Sequence, residues 1–138
     1  MRPVLLDTGV IIAWLDRREK FHQACVDALQ NCSSPLITCE AVIAESCYLL
    51  RQLKGAAEAV LANVAEGIFG LPSPLSQSAV EVRRIMQKYR DCEIDLADGC
   101  LIQMAGEYKT AEVLTLDRDF RVYRWGRGKT FNLLIPRD

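Results

Sequence analysis

The sequence contains no long hydrophobic segment. No run of apolar residues approaches the ~20 that a membrane-spanning helix requires. The N-terminus also lacks the pattern of a secretion signal, because Arg2 is followed by only a few apolar residues before Asp7. From these two absences we expect a cytoplasmic protein without a membrane partner.

The chain has six cysteines but no C-x-x-C pair, and their spacing is not typical of a disulfide framework. Together with the missing export signal, this predicts reduced thiols that pack as small core residues, with a zinc site as the less favoured alternative. The cysteines are Cys25, Cys32, Cys39, Cys47, Cys92 and Cys100. The single histidine, His22, is interpreted as a capping or packing residue.

The sequence also lacks an excess of one charge: 17 basic and 18 acidic residues give a net charge of −1. The distribution is uneven, however. Residues 118–130 hold five basic residues and one acid, and a second basic group lies at residues 83–90. Two interpretations remain open for these groups, a solvated face and a patch that contacts phosphates.

Half of the 138 residues are apolar, which predicts one compact domain over residues 1–138. Apolar segments at helical spacing alternate with short apolar runs, and Ser78 with Glu81 resembles a helix capping box. This alternation predicts an α/β fold with a parallel sheet covered by helices on both faces. The predicted strands are 3–6, 36–38, 68–71, 112–116 and 131–135; the predicted helices are 10–15, 21–32, 40–53, 57–64, one ending near Tyr89, and 95–108.

The triplet Asp7-Thr8-Gly9 is also found in aspartic proteases. Those enzymes are almost wholly β, whereas this chain has many helical segments, so we set the protease interpretation aside. The triplet is interpreted as a strand end followed by a turn, in which Gly9 supplies backbone freedom.

Four acids are predicted to converge at one edge of the sheet. Asp7 and Asp117 each follow an apolar strand, and ligands of open α/β sheets bind beyond the carboxyl ends of the strands. Glu45 shares a helix stripe with Val42 and Leu49 and is predicted to face inward, while Asp98 lies in the first turn of its helix. Each acid alone has another explanation, since Asp98 could belong to a helix cap and Asp117 to a turn. Asp95 is interpreted first as the N-cap of its helix and second as a reserve metal ligand.

Clustered carboxylates repel one another, so some would stay protonated unless a cation or basic partners neutralised them. All four candidate ligands are oxygen donors, which favours Mg²⁺ or Mn²⁺ over zinc. Such a site suits hydrolysis of phosphodiester bonds.

Four motifs together resemble the PIN-domain family, of the kind found in VapC-type toxins. They are L-L-D-T-G-V-I, A-V-I-A-E-S, D-L-A-D-G-C-L-I-Q-M-A and V-L-T-L-D-R-D-F, in that order along nearly the whole chain. The resemblance implies an α/β/α sandwich with a parallel five-stranded sheet, and RNA cleavage with Mg²⁺ or Mn²⁺. It assigns the acidic quartet to Asp7, Glu45, Asp98 and Asp117.

The resemblance further implies that Thr8 and Thr115 orient the carboxylates by hydrogen bonds. A small antitoxin that covers the acidic cleft and a homodimer are also expected from the family. In the resulting hypothesis Asp119 is a reserve ligand, and Arg118 and Arg121 guide the RNA backbone.

Two alternatives remain. The first is a PIN-fold protein that binds RNA or a protein without cutting, which an RNA cleavage assay would distinguish. The second is a metal-dependent phosphatase that uses an Asp nucleophile. That class places a second Asp two residues later, where this chain has Gly9, so it is the less favoured alternative.

Overall fold

The computed structural model describes residues 2–135, which form a parallel sheet flanked by six helices. The strands of the sheet are β1 (Val4–Leu6), β2 (Leu36–Ile37), β3 (Phe69–Gly70), β4 (Glu112–Leu114) and β7 (Asn132–Leu133). The helices are α1 (Thr8–Leu15), α2 (His22–Gln30), α3 (Glu40–Leu49), α4 (Ala56–Ala65), α5 (Leu75–Lys88) and α6 (Leu96–Tyr108). The predicted α/β/α sandwich is confirmed.

The strand order is β3-β2-β1-β4-β7, and all neighbours run parallel. The central strand β1 is completely buried, as its uninterrupted Val-Leu-Leu sequence requires for a strand covered on both faces. It pairs with β4 in the register Leu6 to Leu114. The carboxyl ends of these two strands therefore lie side by side.

Helix α1 begins immediately after β1, so the predicted turn at the Asp-Thr-Gly triplet is absent. Gly9 lies inside the helix and is not one of the glycines with positive φ. The imidazole of His22, at the start of α2, lies 2.6 Å from the carbonyl oxygen of Ala13 in α1. His22 thus joins two helices, which confirms its interpretation as a packing residue.

The capping box predicted at Ser78 and Glu81 was wrong. Helix α5 begins three residues earlier, at Leu75, and the hydroxyl of Ser78 donates to the carbonyl of Pro74 at 3.4 Å. Helix α3 ends at Leu49 instead of residue 53, and the fifth strand of the sheet covers only Asn132–Leu133.

The basic segment contains a feature that apolar periodicity did not predict, an antiparallel hairpin of β5 (Arg124–Trp125) and β6 (Lys129–Thr130). Its turn uses Gly126 and Gly128, both with positive φ, a conformation that side chains disfavour. The indole N–H of Trp125 donates to the carbonyl of Thr130 at 3.0 Å.

The cysteines divide by position. Cys25, Cys39 and Cys100 are buried and Cys32 and Cys47 are half-buried, as expected for core residues, but Cys92 is exposed. All six are free thiols. Within residues 2–135, no helix has both the length and the apolar character needed to cross a membrane.

Candidate metal centre

The candidate site lies at the carboxyl ends of β1 and β4, where the parallel topology brings two acids together. Asp7 directly follows β1, and its backbone N–H donates to the carbonyl of Leu114 at 3.0 Å. Asp117 follows β4 by three residues. Helix α6 packs near β1 and supplies Asp98 from its first turn.

Asp7, Asp98 and Asp117 each offer a carboxylate oxygen, and these atoms all lie within 4.8 Å of one another. Asp7 is only 6% exposed and Asp98 only 7%, while Asp117 is half-buried. Buried carboxylates are rare without a partner, because removing an ionised group from water is costly. The cluster therefore calls for protons or a cation.

Hydrogen bonds hold Asp7 at both oxygens. Oδ1 accepts from the backbone N–H of Thr8 at 2.8 Å, and Oδ2 accepts from the hydroxyl of Thr115 at 2.8 Å. The Thr115 oxygen in turn accepts from the backbone N–H of Asp117 at 2.9 Å. One hydroxyl thus connects the first acid of the chain with the last acid of the cluster.

The hydroxyl of Thr8 has a different environment. Thr8 is 6% exposed, and its Oγ1 is buried with no hydrogen-bond partner among the described residues. Among the described residues, Thr8 therefore bonds the Asp7 carboxylate through its backbone N–H and not through its hydroxyl.

Asp98 is held by a residue that the sequence analysis missed. The hydroxyl of Tyr123 donates to Oδ2 of Asp98 at 3.1 Å, and Tyr123 is fully buried. At the backbone, the N–H of Asp98 donates to the side chain of Asp95 at 2.8 Å, which caps α6. Neither periodicity nor a motif points to Tyr123, because it lies outside the regular elements.

Burial is the main cause of the raised pKa values in the cluster. It raises the pKa of Asp7 to about 6, against hydrogen bonds from Thr115 and Thr8 that lower it. Burial, with the neighbouring charges of Asp7, Asp95 and Asp117, raises the pKa of Asp98 to about 8. Burial and the charge of Asp98 raise the pKa of Tyr123 above its ordinary value. Without a cation, Asp98 is therefore largely protonated at neutral pH.

Glu45 lines the same open cleft as the three aspartates, but it is exposed and not turned into the core. The prediction that Glu45 faces inward together with Val42 and Leu49 was wrong. The buried side of helix α3 carries Val42 and Ser46, whereas Leu49 is 54% exposed. Glu45 therefore stands at the rim of the cleft, in contact with water.

Asp95 also lines this cleft, which encloses about 410 Å³. The reserve residue Asp119 is exposed, and its backbone N–H donates to Oδ1 of Asp117 at 2.9 Å. Arg118 and Arg121 are exposed on a 3-10 helix, Arg118–Arg121, that begins directly after Asp117. The first of these basic residues is thus adjacent in the chain to Asp117, which lines the cleft.

Comparison with known proteins gives three likenesses. The PIN domain family model matches residues 4–126. The Mycobacterium tuberculosis (strain ATCC 25618 / H37Rv) protein named Ribonuclease VapC26 is 32% identical over 117 residues, which are 83% of this chain and 87% of that protein. The crystal structure of Mycobacterium tuberculosis VapC20, described as a sarcin-ricin loop cleaving toxin, has a TM-score of 0.79. It matches 86% of this chain and 93% of its own at 16% identity, which is a likeness of fold.

Proposed function

Because this chain belongs to the PIN-domain family, we propose that it is a metal-dependent endoribonuclease that hydrolyses RNA at the acidic cleft. One observation carries the proposal: Asp7, Asp98 and Asp117 come from distant segments yet offer oxygens within 4.8 Å of one another. The 32% identity with a protein named as a ribonuclease supports RNA as the substrate.

The donor set fits a hard divalent cation. The cluster consists of carboxylate oxygens, the ligands that Mg²⁺ and Mn²⁺ prefer. The raised pKa values of Asp7 and Asp98 show that their ionised forms are disfavoured when the cleft holds protein alone. A divalent cation would offset that cost and release the protons. Asp7, Asp98 and Asp117 are the proposed ligands, with Glu45 as the fourth acid at the rim.

When bound, Mg²⁺ or Mn²⁺ supplies Lewis-acid chemistry, polarising the phosphodiester and lowering the pKa of water. The chain's own residues would hold the metal ligands in position. Asp7 is held at both oxygens by Thr8 and Thr115, so its carboxylate cannot turn away from the cleft. Glu45 is exposed at the rim of the cleft, and its proposed role is to accept a proton from a water that enters from solvent.

The RNA backbone is proposed to approach along the 3-10 helix that follows Asp117. Arg118 and Arg121 are exposed there, and their guanidinium groups suit phosphate contacts. The net charge of −1 gives no general attraction for RNA, so a local basic border has to supply it.

The proposal also covers the biological role of the protein, its compartment and its partners. A VapC-type ribonuclease would act as the toxin of a type II toxin–antitoxin pair in the cytoplasm, as a homodimer. Its antitoxin would be a small protein with a segment that covers the acidic cleft. The names of the relatives, a VapC ribonuclease and a VapC toxin, support the toxin part of this proposal.

A fluorescent RNA cleavage assay tests the proposal. Wild-type protein should cleave with added Mn²⁺ and lose cleavage with EDTA. Asp7→Asn should abolish cleavage while keeping or raising thermal stability, because one buried charge disappears. Asp27→Asn, an exposed acid on α2, is the matched control and should cleave as wild type.

Cleavage by a carefully purified Asp7→Asn sample would contradict the assignment of the site. RNA binding without cleavage would favour a silent PIN-fold module. Hydrolysis of a phosphomonoester in place of RNA would favour a phosphatase.

A further inference from the structure

Tyr123 holds a position that the proposed reaction does not itself explain. Its hydroxyl donates to Oδ2 of Asp98 from 25 positions further along the chain, inside a protein core that leaves no exposed surface on the ring. The same loop that supplies Asp117 therefore reaches back to a second acid of the cluster.

The phenol is held rigidly. Its ring meets the rings of Tyr89 and Phe120 edge to face, with centroids 5.1 and 5.2 Å away. Its backbone N–H donates to the carbonyl of Asp119 at 3.0 Å, and its own carbonyl accepts from the guanidinium of Arg124 at 3.0 Å. With ring and backbone both fixed, the hydroxyl cannot follow a rotation of the Asp98 carboxylate.

A phenol carries its proton at neutral pH and so acts as a steady donor to an ionised carboxylate. The hydrogen bond uses one lone pair of Oδ2 and holds that oxygen toward Tyr123, so Oδ1 of Asp98 is the oxygen better placed for another partner. A carboxylate in this state can offer one oxygen to a cation more easily than two.

We propose that Tyr123 is a positioning residue that restricts Asp98 to one ligand oxygen and so makes the cleft prefer Mg²⁺ and Mn²⁺ to Ca²⁺. The inference rests on the proposed function, because it requires the cleft to bind a divalent cation. Mg²⁺ demands few ligands in a near-ideal octahedron, whereas Ca²⁺ takes six to eight oxygens and often both oxygens of one carboxylate. A carboxylate with one oxygen engaged elsewhere penalises the larger ion.

Tyr123→Phe removes the hydroxyl and keeps the ring. The matched control is Tyr89→Phe, since Tyr89 is a neighbouring buried tyrosine whose hydroxyl accepts from the backbone N–H of Arg124 at 2.8 Å. Both changes delete one buried hydroxyl, but only the first touches an acid of the cluster.

Binding is measured without RNA, by the Mn²⁺ electron paramagnetic resonance signal and by displacement of Mn²⁺ with Ca²⁺. In Tyr123→Phe we expect Mn²⁺ affinity to fall about tenfold, as for other residues that orient metal ligands. Ca²⁺ affinity should be unchanged or higher, so the preference for Mn²⁺ over Ca²⁺ should fall by about tenfold or more. Tyr89→Phe should keep the wild-type preference even if its melting temperature drops.

An equal loss of affinity for both ions in Tyr123→Phe would overturn the inference, because general loosening of the site weakens both. An unchanged preference in a folded Tyr123→Phe would overturn it too and leave the metal centre intact. If wild-type protein binds no Mn²⁺, the proposed function fails and the inference with it.

Wild-type protein labelled with 3-fluorotyrosine gives a measurement that does not depend on the variant being stable. The chain has four tyrosines, and the Tyr123 signal should shift on addition of Mg²⁺, since its acceptor becomes a cation ligand. A Tyr123 signal that ignores Mg²⁺ at concentrations that saturate the protein would overturn the inference.

Discussion

The hydroxyl of Thr115 lies 2.8 Å from Oδ2 of Asp7, although 108 positions separate the two residues. Because the same oxygen accepts the backbone N–H of Asp117 at 2.9 Å, one small side chain ties together the ends of the two central strands. The acidic cluster is thus part of the sheet's own hydrogen-bond framework.

Replacement of Thr115 by Val should damage stability and metal binding together. The change leaves Oδ2 of Asp7 without the Thr115 donor and the backbone N–H of Asp117 without the Thr115 acceptor, which costs about 1–3 kcal/mol of unfolding free energy in urea titrations. Mn²⁺ affinity should fall about 10- to 100-fold. Thr115→Ser, which keeps the hydroxyl, should restore both quantities.

Thr110 provides a matched control at the other end of β4. Its buried hydroxyl donates to the carbonyl of Pro3 at 2.7 Å and accepts the backbone N–H of Glu112 at 3.2 Å. Thr110→Val should lose similar stability yet keep Mn²⁺ affinity. If Thr110→Val weakens Mn²⁺ binding as strongly as Thr115→Val, the effect is general destabilisation and not positioning.

The free energy of unfolding should fall as pH rises from about 4 to about 8 in EDTA. The folded protein keeps protons on Asp7 up to about pH 6 and on Asp98 up to about pH 8, whereas the unfolded chain loses them near the ordinary value of 3.8. Each pKa unit corresponds to about 1.4 kcal/mol, so Asp7 alone accounts for a loss on the order of 3 kcal/mol.

Urea titrations at several pH values measure this dependence. Asp98→Asn should flatten the slope between pH 6 and pH 8, because the raised pKa of about 8 places the titration of Asp98 in the upper part of the range. Saturating Mn²⁺ should abolish the fall in stability, since the cation binds the ionised carboxylates of the folded state. A slope that Asp98→Asn leaves unchanged would contradict the assigned acidities.

Glu45→Gln should separate catalysis from stability. Glu45 is exposed at the rim of the cleft, so its replacement should change the unfolding free energy by less than about 0.5 kcal/mol. RNA cleavage under saturating Mn²⁺ should nevertheless fall at least ~100-fold, the scale of a lost general base. Glu40→Gln, an exposed acid at the start of the same helix, should leave cleavage near the wild-type rate.

Arg118→Ala should weaken RNA binding without changing Mn²⁺ affinity. An arginine that contacts one phosphate contributes about one unit to the slope of log affinity against log salt concentration. That slope, measured by fluorescence anisotropy with an uncleaved RNA in EDTA, should fall by about one. Arg17→Ala is the control, because Arg17 is exposed beyond the opposite end of α1 from Asp7. Equal effects from both arginines would point to a general charge effect.

Much of the fold could be predicted because its rules are local. Uninterrupted apolar runs such as Val4–Leu6 require burial on both faces, and strands of that kind alternating with helices form parallel sheets. Acids that follow neighbouring strands within a few residues then meet at one edge, which is why Asp7 and Asp117 could be paired from spacing alone. The motif order added the family, and the family model bears it out.

The wrong predictions concern the side of a helix on which a residue lies and the residue at which a helix begins. A helix advances 100° per residue, so one misjudged neighbour moved Glu45 from the core to the rim. The start of α5 was displaced because Pro74 precedes it without a capping side chain, and Ser78 with Glu81 lies one turn inside. Local signals of this kind are weak compared with the packing that decides them.

By itself the sequence determined the α/β architecture, the order of the acid-bearing segments and the strand-end positions of Asp7 and Asp117, because strand topology follows from the apolar pattern. Only the tertiary structure decided which oxygen of each carboxylate is engaged and by which donor. The bonds from Thr115 to Asp7 and from Tyr123 to Asp98 span 108 and 25 positions. Their lengths depend on how whole segments pack, and no local pattern in the chain encodes that.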